Sequence, residues 1–390
     1  MNYSTAVLKN KIEVIATYPL VALGKLLGYI FPLQNKGTIF LFFPSADIGG
    51  AIKVNADIVN CINDKQVTIL FSKKPKNNLF KHLFEVENVT LIDLSQYIDN
   101  KTLHFINIIY RGVIATWINR VDKPVVFGGE CIYFYKILPY LKKNTKTIEL
   151  CHLNTWLNYT QAYVRFINYR VFSTKKIKRD VSNQYASNKV PDKYKNNLHF
   201  IDNKVAIPPY SVTDNAGLQI LFVGRGAAQK RVYLIKQIAE QLVSYAAQFH
   251  FTFVGDVEKI IAKNELPNCT VLGNVNDEQQ MHKLYQQADV LILTSAYEGL
   301  PIVVMDMMAR GKVVVSTAVD GIPDYITHLQ NGILLYEKDE REIVREAVGA
   351  LKDLSQNKNL LLTLGKNSYD YATKNFSAAN FDTFYKQLFT

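Results

Sequence analysis

A chain of 390 residues, 48% hydrophobic and 20% charged, can pack two domains or one large one, and it is not disordered, collagen-like or low-complexity. Its four cysteines, Cys61, Cys131, Cys151 and Cys269, stand far apart with no C-x-x-C, which excludes a disulfide framework and a zinc ribbon and suits a reducing compartment. The net charge of +11 is uneven: residues 1–210 hold 28 Lys and Arg against 14 Asp and Glu, a net of +14, and residues 211–390 hold 17 against 20, a net of −3.

A basic first half suits an anionic partner, whether nucleic acid, a phosphorylated substrate or an acidic membrane surface; a solvated basic face fits it too. The first residues lack a basic stretch followed by an apolar run, so no signal peptide is expected. Thr17–Leu33 is apolar but carries Lys25 and is bounded by Pro19 and Pro32. The helix between those prolines is too short to span a bilayer, which needs ~20 residues. It is expected either to lie at a membrane interface or to pack on the first domain.

Short β-branched or aromatic runs then alternate with helical patterns. Strands are expected at Thr38–Phe43, Val67–Phe71, Val89–Ile92, Pro124–Phe127 and Thr147–Leu150. Beyond residue 215 they are expected at Gln219–Val223, His250–Val254, Cys269–Leu272, Val290–Thr294, Val313–Ser316 and Gly332–Leu335. Helices are expected at Gly50–Ile62, Arg231–Gln248, Glu278–Gln287, Ile302–Arg310 and Glu340–Leu354. Alternation of this kind, with strands apolar throughout, predicts an α/β fold of parallel sheets covered on both faces. The polar, proline-bearing run Ile207–Asn215 reads as a linker. Two α/β domains facing across a ligand-binding cleft is the economical architecture.

Four segments can carry chemistry. In Phe42–Lys53 a strand runs into Gly49-Gly50 and a helix, and glycine there lets a backbone approach a ligand closely, though a plain tight turn reads the same way. Thr147–Leu150 predicts a strand whose carboxyl end carries His152, in a run continuing to Trp156, and Phe127-Gly-Gly-Glu130 closes the preceding strand. In Gln219–Arg231 a strand ends at Gly224, and Arg225 and Lys230 can converge on phosphate oxygens at the ligand end of a parallel sheet, although a solvated basic turn also fits. The run lacks the third glycine of a dinucleotide fingerprint, where Gln229 stands, and is not a Walker A loop. In Ala288–Ala309 a strand passes through Glu298-Gly299-Leu300-Pro301 into a helix carrying Asp306. Glu298 can sit beside a pyrophosphate at the helix start and accept bonds from hydroxyls, and Asp306 can reach a second hydroxyl-bearing ring. No Asp-x-Asp and no paired histidines are present, so no metal site is expected.

These segments, in this order, resemble the retaining nucleotide-sugar glycosyltransferases of the GT-B fold, specifically glycosyltransferase family 4. The likeness rests on the Gly-Gly loop, the Gly-Arg…Lys pair, Glu298-Gly-Leu-Pro…Asp306-Met-Met-Ala, and the runs Phe253-Val-Gly-Asp256, Leu272-Gly-Asn-Val275, Asp320-Gly-Ile-Pro-Asp324 and Asn331-Gly-Ile-Leu-Leu335. It is dense from about 218 to 336, diffuse from 37 to 205, and absent from 1–36. The resemblance implies two Rossmann-like domains facing across a cleft. It implies an N-terminal extension at 1–36, an acceptor-binding domain at 37–207, a nucleotide-sugar-binding domain at 208–365, and a C-terminal helix at 366–390 packing back on the first domain.

By the same resemblance, Arg225 and Lys230 clamp the donor pyrophosphate, Glu298 contacts the transferred sugar, and His152 lies near that sugar. These four are the catalytic candidates. Gly49, Gly50, Arg225, Lys230, Gly299, Leu300 and Asp306 are the donor-binding candidates. Asp306 stands where the family carries a glutamate, one methylene longer. The implied activity is metal-independent, hexosyltransferase-like transfer from a UDP- or GDP-linked sugar, with retention, to a glycan or lipid-linked acceptor in surface polysaccharide or glycolipid assembly. A cytoplasmic protein meeting the inner face of an anionic membrane is expected, and no nucleic-acid partner. A non-catalytic relative that binds lipid or glycan is the alternative.

Overall fold

The computed structural model describes residues 1–34, 37–100, 102, 104–152 and 157–390. The chain forms two compact units, Met1–Ile201 with Asp382–Thr390, and Asp202–Phe381.

The first unit opens with α1 (Tyr3–Ile30). A seven-stranded sheet follows, built from β1 (Ile39–Phe43), β2 (Val67–Phe71), β3 (Val89–Asp93), β4 (Val125–Gly128), β5 (Lys146–Cys151), β6 (Tyr169–Phe172) and β7 (Leu198–Phe200), in the order β3-β2-β1-β4-β5-β6-β7. The main helices between strands are α2 (Gly50–Cys61), α3 (His104–Asn119) and α4 (Lys175–Ser187). The first two strands are buried along their whole length, as both-face cover of a parallel sheet requires.

Two strands were not expected from the sequence. β6 carries Arg170 at its second position, and a charge interrupts the apolar run that marks a buried strand. The structure keeps it inside by saturating it: Arg170 pairs with Glu149 of β5 and donates to Thr160 Oγ1 at 3.0 Å and to the Tyr185 hydroxyl at 2.5 Å. Both charged side chains are essentially sealed from water, at 1% and 0% exposure, and a buried pair is tolerated only when its remaining donors and acceptors are filled.

α1 corrects the expectation for residues 17–33. Pro19 lies inside the helix, and the helix runs unbroken for 28 residues. Pro19 faces outward, where the carbonyl it leaves without an N–H partner is open to water. On the inner side Gly24 and Gly28 bring α1 against α3 backbone to backbone: a Cβ on Gly24 would stand 1.9 Å from the Ile109 carbonyl oxygen, and one on Gly112 2.0 Å from that of Val21. By length and composition α1 is apolar enough to cross a membrane.

The second unit holds β8 (Leu218–Val223), β9 (Phe249–Val254), β10 (Cys269–Gly273), β11 (Val290–Leu293), β12 (Val313–Thr317) and β13 (Ile333–Leu335), in the order β10-β9-β8-β11-β12-β13. Its helices are α5 (Val232–Gln241), α6 (Glu278–Gln287), α7 (Ile302–Met308), α8 (Glu340–Gln356) and α9 (Lys358–Asn375). Every named strand pairing in both sheets is parallel.

The expected linker at 207–215 is not a free hinge. It has no helix or strand, but it is bound along the second unit: the Tyr369 hydroxyl donates to the Pro208 carbonyl at 3.1 Å and Thr213 Oγ1 to Asp289 at 2.8 Å. The division between units falls at Ile201/Asp202. At the far end, α10 (Ala378–Leu388) carries the chain back to the first unit from Asp382 onward, not from 366. There Cys61 Sγ donates to Asp382 Oδ1 at 2.8 Å, and the Phe389 ring packs 5.6 Å from that of Phe127.

Candidate active site

In an open parallel sheet, ligands bind beyond the carboxyl ends of the strands where the strand order reverses, because the two flanking loops diverge there. In the second sheet that point lies between β8 and β11. The loops leaving these strands carry the expected phosphate cations and the expected acid.

After β8 the backbone is nested against the loop after β9. The Gly226 N–H donates to Asp256 Oδ1 at 2.9 Å. A Cβ on Gly226 would stand 2.3 Å from the Asp256 carbonyl oxygen. Gly255 has φ +126°, and its Cβ would stand 1.8 Å from the Gly224 carbonyl oxygen. Only glycine allows both the dihedral and the approach. Phe253-Val-Gly-Asp256 thus shapes the first loop, which the sequence alone did not assign to it.

The chain then makes one short turn, Ala228–Lys230, and enters α5 through Arg231 in a left-handed conformation, φ +45°. The guanidinium of Arg231 donates to the Thr294 carbonyl at 2.7 Å and to that of Ser295 at 3.1 Å. In return, Thr294 Oγ1 donates to the Arg231 carbonyl at 3.0 Å, the Ala296 N–H to the Gln229 carbonyl at 2.8 Å, and Gln229 Nε2 to the Tyr297 carbonyl at 2.7 Å. The loops after β8 and β11 are thereby stitched into one rim. Sequence reasoning passed over Arg231. Its signal was a cation at a helix N-terminus, where the helix dipole disfavours positive charge.

That rim brings Lys230 and Glu298 together. Lys230 Nζ donates to Glu298 Oε1 in an ion pair whose side chains are 13% and 7% exposed. The Glu298 backbone is fixed as well, its N–H donating to Asp320 Oδ2 at 2.9 Å. Arg225 lies exposed on the same loop, with no ion pair among the described residues. Ser295 Oγ is buried in this rim without a hydrogen-bond partner among the described residues. Gly299 is half-buried and Leu300 buried. Pro301 occupies the N-cap of α7, one place before the first helical residue.

Asp306 sits in the second turn of α7, buried. Arg310 Nη1 donates to its carbonyl at 2.8 Å and meets its carboxylate at 3.3 Å, and the same guanidinium lies 5.1 Å from the centre of the Tyr285 ring. Burial, and then the Asp306 carboxylate, push the Tyr285 phenol well up. Asp306 is therefore held by Arg310, a residue the sequence reading did not single out.

The remaining candidates lie in the first unit. Gly49 is the extended N-cap of α2 and Gly50 its first residue. A Cβ on Gly49 would meet nothing within 4 Å, so the space beside this loop is open. The loop is held from below by Asp47, whose Oδ1 accepts the backbone N–H groups of Lys76, Asn77 and Asn78 at 2.8, 2.9 and 3.1 Å. Burial pushes the Asp47 carboxyl up, but these bonds more than offset it and hold it below the usual range.

His152 follows β5, as expected. Its backbone N–H donates to Glu130 Oε1 at 2.9 Å, so the Gly-Gly-Glu130 segment and the His152 backbone do meet. Its Nε2 is buried without a hydrogen-bond partner among the described residues. Burial depresses the imidazole pKa, with Glu130 partly opposing. Residues 153–156 of that run lie outside the described residues. Among the described residues no cluster of three His, Cys, Asp or Glu is grouped to hold a metal.

Residues 217–353 match the family described as Glycosyl transferases group 1. Over 157 residues the chain is 31% identical to an uncharacterized glycosyltransferase of Methanocaldococcus jannaschii, covering 39% of this chain and 40% of that one. It is 28% identical over 138 residues to the amylovoran biosynthesis glycosyltransferase AmsK of Erwinia amylovora, covering 32% and 34%. The match thus spans about two fifths or less of the length of these curated relatives. Among solved structures, HepE of Anabaena, in complex with UDP and glucose, superposes with a TM-score of 0.70 at 15% identity, over 90% of this chain and 98% of that one. The fold is GT-B, two Rossmann-like units with parallel sheets.

Proposed function

We propose that the chain is a retaining, metal-independent glycosyltransferase, moving a sugar from a UDP- or GDP-linked donor to a glycan or lipid-linked acceptor in surface polysaccharide or glycolipid assembly. One observation carries it: the nearly buried Lys230–Glu298 pair at the carboxyl ends of β8 and β11. The match of residues 217–353 to a glycosyltransferase family supports it, as does a neighbour of the same fold in complex with UDP and glucose.

As the bond to the sugar breaks, the departing nucleoside diphosphate gathers negative charge. Catalysis requires groups that stabilise that charge more than the ground state. In this reading Lys230 supplies a fixed point charge and Arg225 a planar fork for phosphate oxygens. Once the diphosphate takes Lys230 as counter-ion, the Glu298 carboxylate is released to accept hydrogen bonds from sugar hydroxyls. Asp306 serves the ribose. The acceptor class, a cytoplasmic location and contact with the inner face of a membrane belong to the same proposal.

A second reading, a non-catalytic relative that binds lipid or glycan, is favoured by the Arg310 grip on Asp306. A thermal-shift panel of UDP, GDP, ADP and their sugars separates the two at the level of donor binding, because a ligand of the native state raises the melting temperature. Release of nucleoside diphosphate from the sugar that binds best then tests chemistry. No shift with any member would sink the donor site, and binding without turnover in the presence of acceptor extracts would favour the second reading.

A further inference from the structure

We propose that the outward face of α1 is a membrane-binding surface that lies flat on an anionic bilayer. The proposal makes specific the membrane part of the reading above and rests on it only for which side of the membrane is met.

The face is defined by spacing. Leu8, Ile12, Ile15, Pro19, Leu23, Leu26 and Ile30 follow one another at steps of four or three residues, and all are exposed. At ~100° per residue they fall within an arc of about 80°. Ile15 is 73% exposed, and Ile12 and Leu26 are 58% and 56%. The opposite side, Ala6, Asn10, Val21, Gly24 and Gly28, is buried. Helices on the surface of a folded domain normally turn their apolar stripe inward. Here a second apolar stripe, about 33 Å long from Leu8 to Ile30 at 1.5 Å per residue, is turned to solvent, with Tyr29 exposed beside it and Phe31 just past its end. A contiguous exposed apolar patch of this kind marks an interaction surface.

The partner follows from the charges beside the stripe. Lys9 and Lys11 stand on either side of it. Lys25 lies 5.4 Å from the Tyr18 ring, and Arg120 of α3 lies 4.9 Å from that of Tyr29. The helix has one acid, Glu13, and it is turned inward to Lys136 at 2.5 Å and Arg111 at 3.3 Å. An apolar face whose flanking charges on the helix are all lysines, with aromatic rings at its border, suits a surface of acyl chains beneath anionic headgroups. A second copy of this chain is disfavoured, since a two-fold contact would set each of these cations against its own kind.

The same inward bonds exclude a spanning helix. Arg165 donates to Asn10 at 2.9 Å, Thr17 Oγ1 lies 3.0 Å from the Tyr140 hydroxyl, and Glu13 is bound twice. Crossing the bilayer would break them all and expose their groups to hydrocarbon.

The test is co-sedimentation of the whole protein with phosphatidylcholine vesicles, with or without about one third phosphatidylglycerol, in the absence of any sugar donor. At low salt, binding to the anionic vesicles is expected to be at least ~10-fold tighter, each interfacial cation contributing about fivefold, and raised salt weakens it. Ile12→Glu/Ile15→Glu/Leu26→Glu should lose at least ~10-fold of that binding with an unchanged melting temperature, because all three side chains are already exposed. In a protein carrying the single change Ile15→Trp, tryptophan emission should shift to the blue when anionic vesicles are added. Equal sedimentation of the triple variant and the parent would overturn the proposal. So would an unshifted Ile15→Trp spectrum, or sedimentation velocity showing a dimer that the triple variant dissociates. Because no donor is present, a failure here leaves the transferase reading intact, and an inactive enzyme leaves this one intact.

Discussion

Replacing Lys230 by methionine keeps the shape of the side chain and removes its charge, leaving Glu298 with one partner fewer at 7% exposure. Breaking a fully buried pair costs about 3–5 kcal/mol. Residual water at a rim position reduces that to roughly 1–3 kcal/mol. For a unit of this size each kcal/mol moves Tm by about 2–4 °C, so calorimetry should show a fall of about 2–12 °C. Turnover should fall by about 10²–10³, as when one transition-state donor is removed. The double variant Lys230→Met/Glu298→Gln then separates the two effects. With no charge left to desolvate, it recovers most of the stability and none of the turnover. A folded Lys230→Met protein that releases nucleoside diphosphate at the parent rate would refute the role given to Lys230. A double variant as unstable as the single one would refute the electrostatic account of the pair.

Asp306→Ala should raise the donor KM by about tenfold and lower kcat less, whereas Asp306→Glu should be tolerated; an effect confined to kcat would exclude a ribose contact. Gly255→Ala places a Cβ 1.8 Å from the Gly224 carbonyl oxygen at φ +126°, so it should cost about 3 kcal/mol or more, seen as a Tm drop of at least ~6 °C. Chelation should leave turnover within about twofold, since in the proposed function the cations that meet the diphosphate are side chains; restoration of a lost activity by magnesium or manganese would replace that model. His152 is depressed by burial, with Glu130 opposing. Between its folded pKa and the unfolded value near ~6.5 the unfolded chain binds the extra proton, so this contribution is complete above that value and shrinks as pH falls through the window. His152→Gln should flatten that part of the stability–pH curve, and an unchanged slope would assign it to other groups, such as His199, which is depressed by burial too.

The sheets were legible wherever apolar runs were uninterrupted. β1 to β5 and β8 to β13 lie within about one residue of their expected positions, because burial on both faces leaves little room for polar residues. β6 and β7 were hidden by Arg170 and by a length of three residues. α3 was hidden by its many isoleucines, which read as strand-like in a short window. α1 was cut short on paper because a proline inside a helix costs ~3 kcal/mol. In the molecule the close seam with α3 outweighs that cost, and Thr17 Oγ1 donates to the Glu13 carbonyl at 2.8 Å just before the proline.

The candidate site could be nominated residue by residue but not as a set of paired charges. Sequence spacing could nominate Lys230 and Glu298 separately, 68 positions apart, but only the adjacency of β8 and β11 makes them partners. That pairing sets the electrostatics of the candidate site. Two groups that would each be uncompensated in a nearly dry rim neutralise one another, so the site can be both preorganised and stable before a donor arrives. In the proposed function, the exposed Arg225 is then the charge that meets an incoming diphosphate first. Lys230 becomes available only to a ligand carrying enough negative charge to displace a carboxylate. On the same proposal, the displaced Glu298 is the group that then receives the sugar hydroxyls. A ligand that supplies the diphosphate alone should leave Glu298 unsatisfied, and one that supplies diphosphate and sugar together satisfies both halves of the broken pair. In the proposed reading, the Lys230–Glu298 contact couples recognition of the leaving group to recognition of the group transferred.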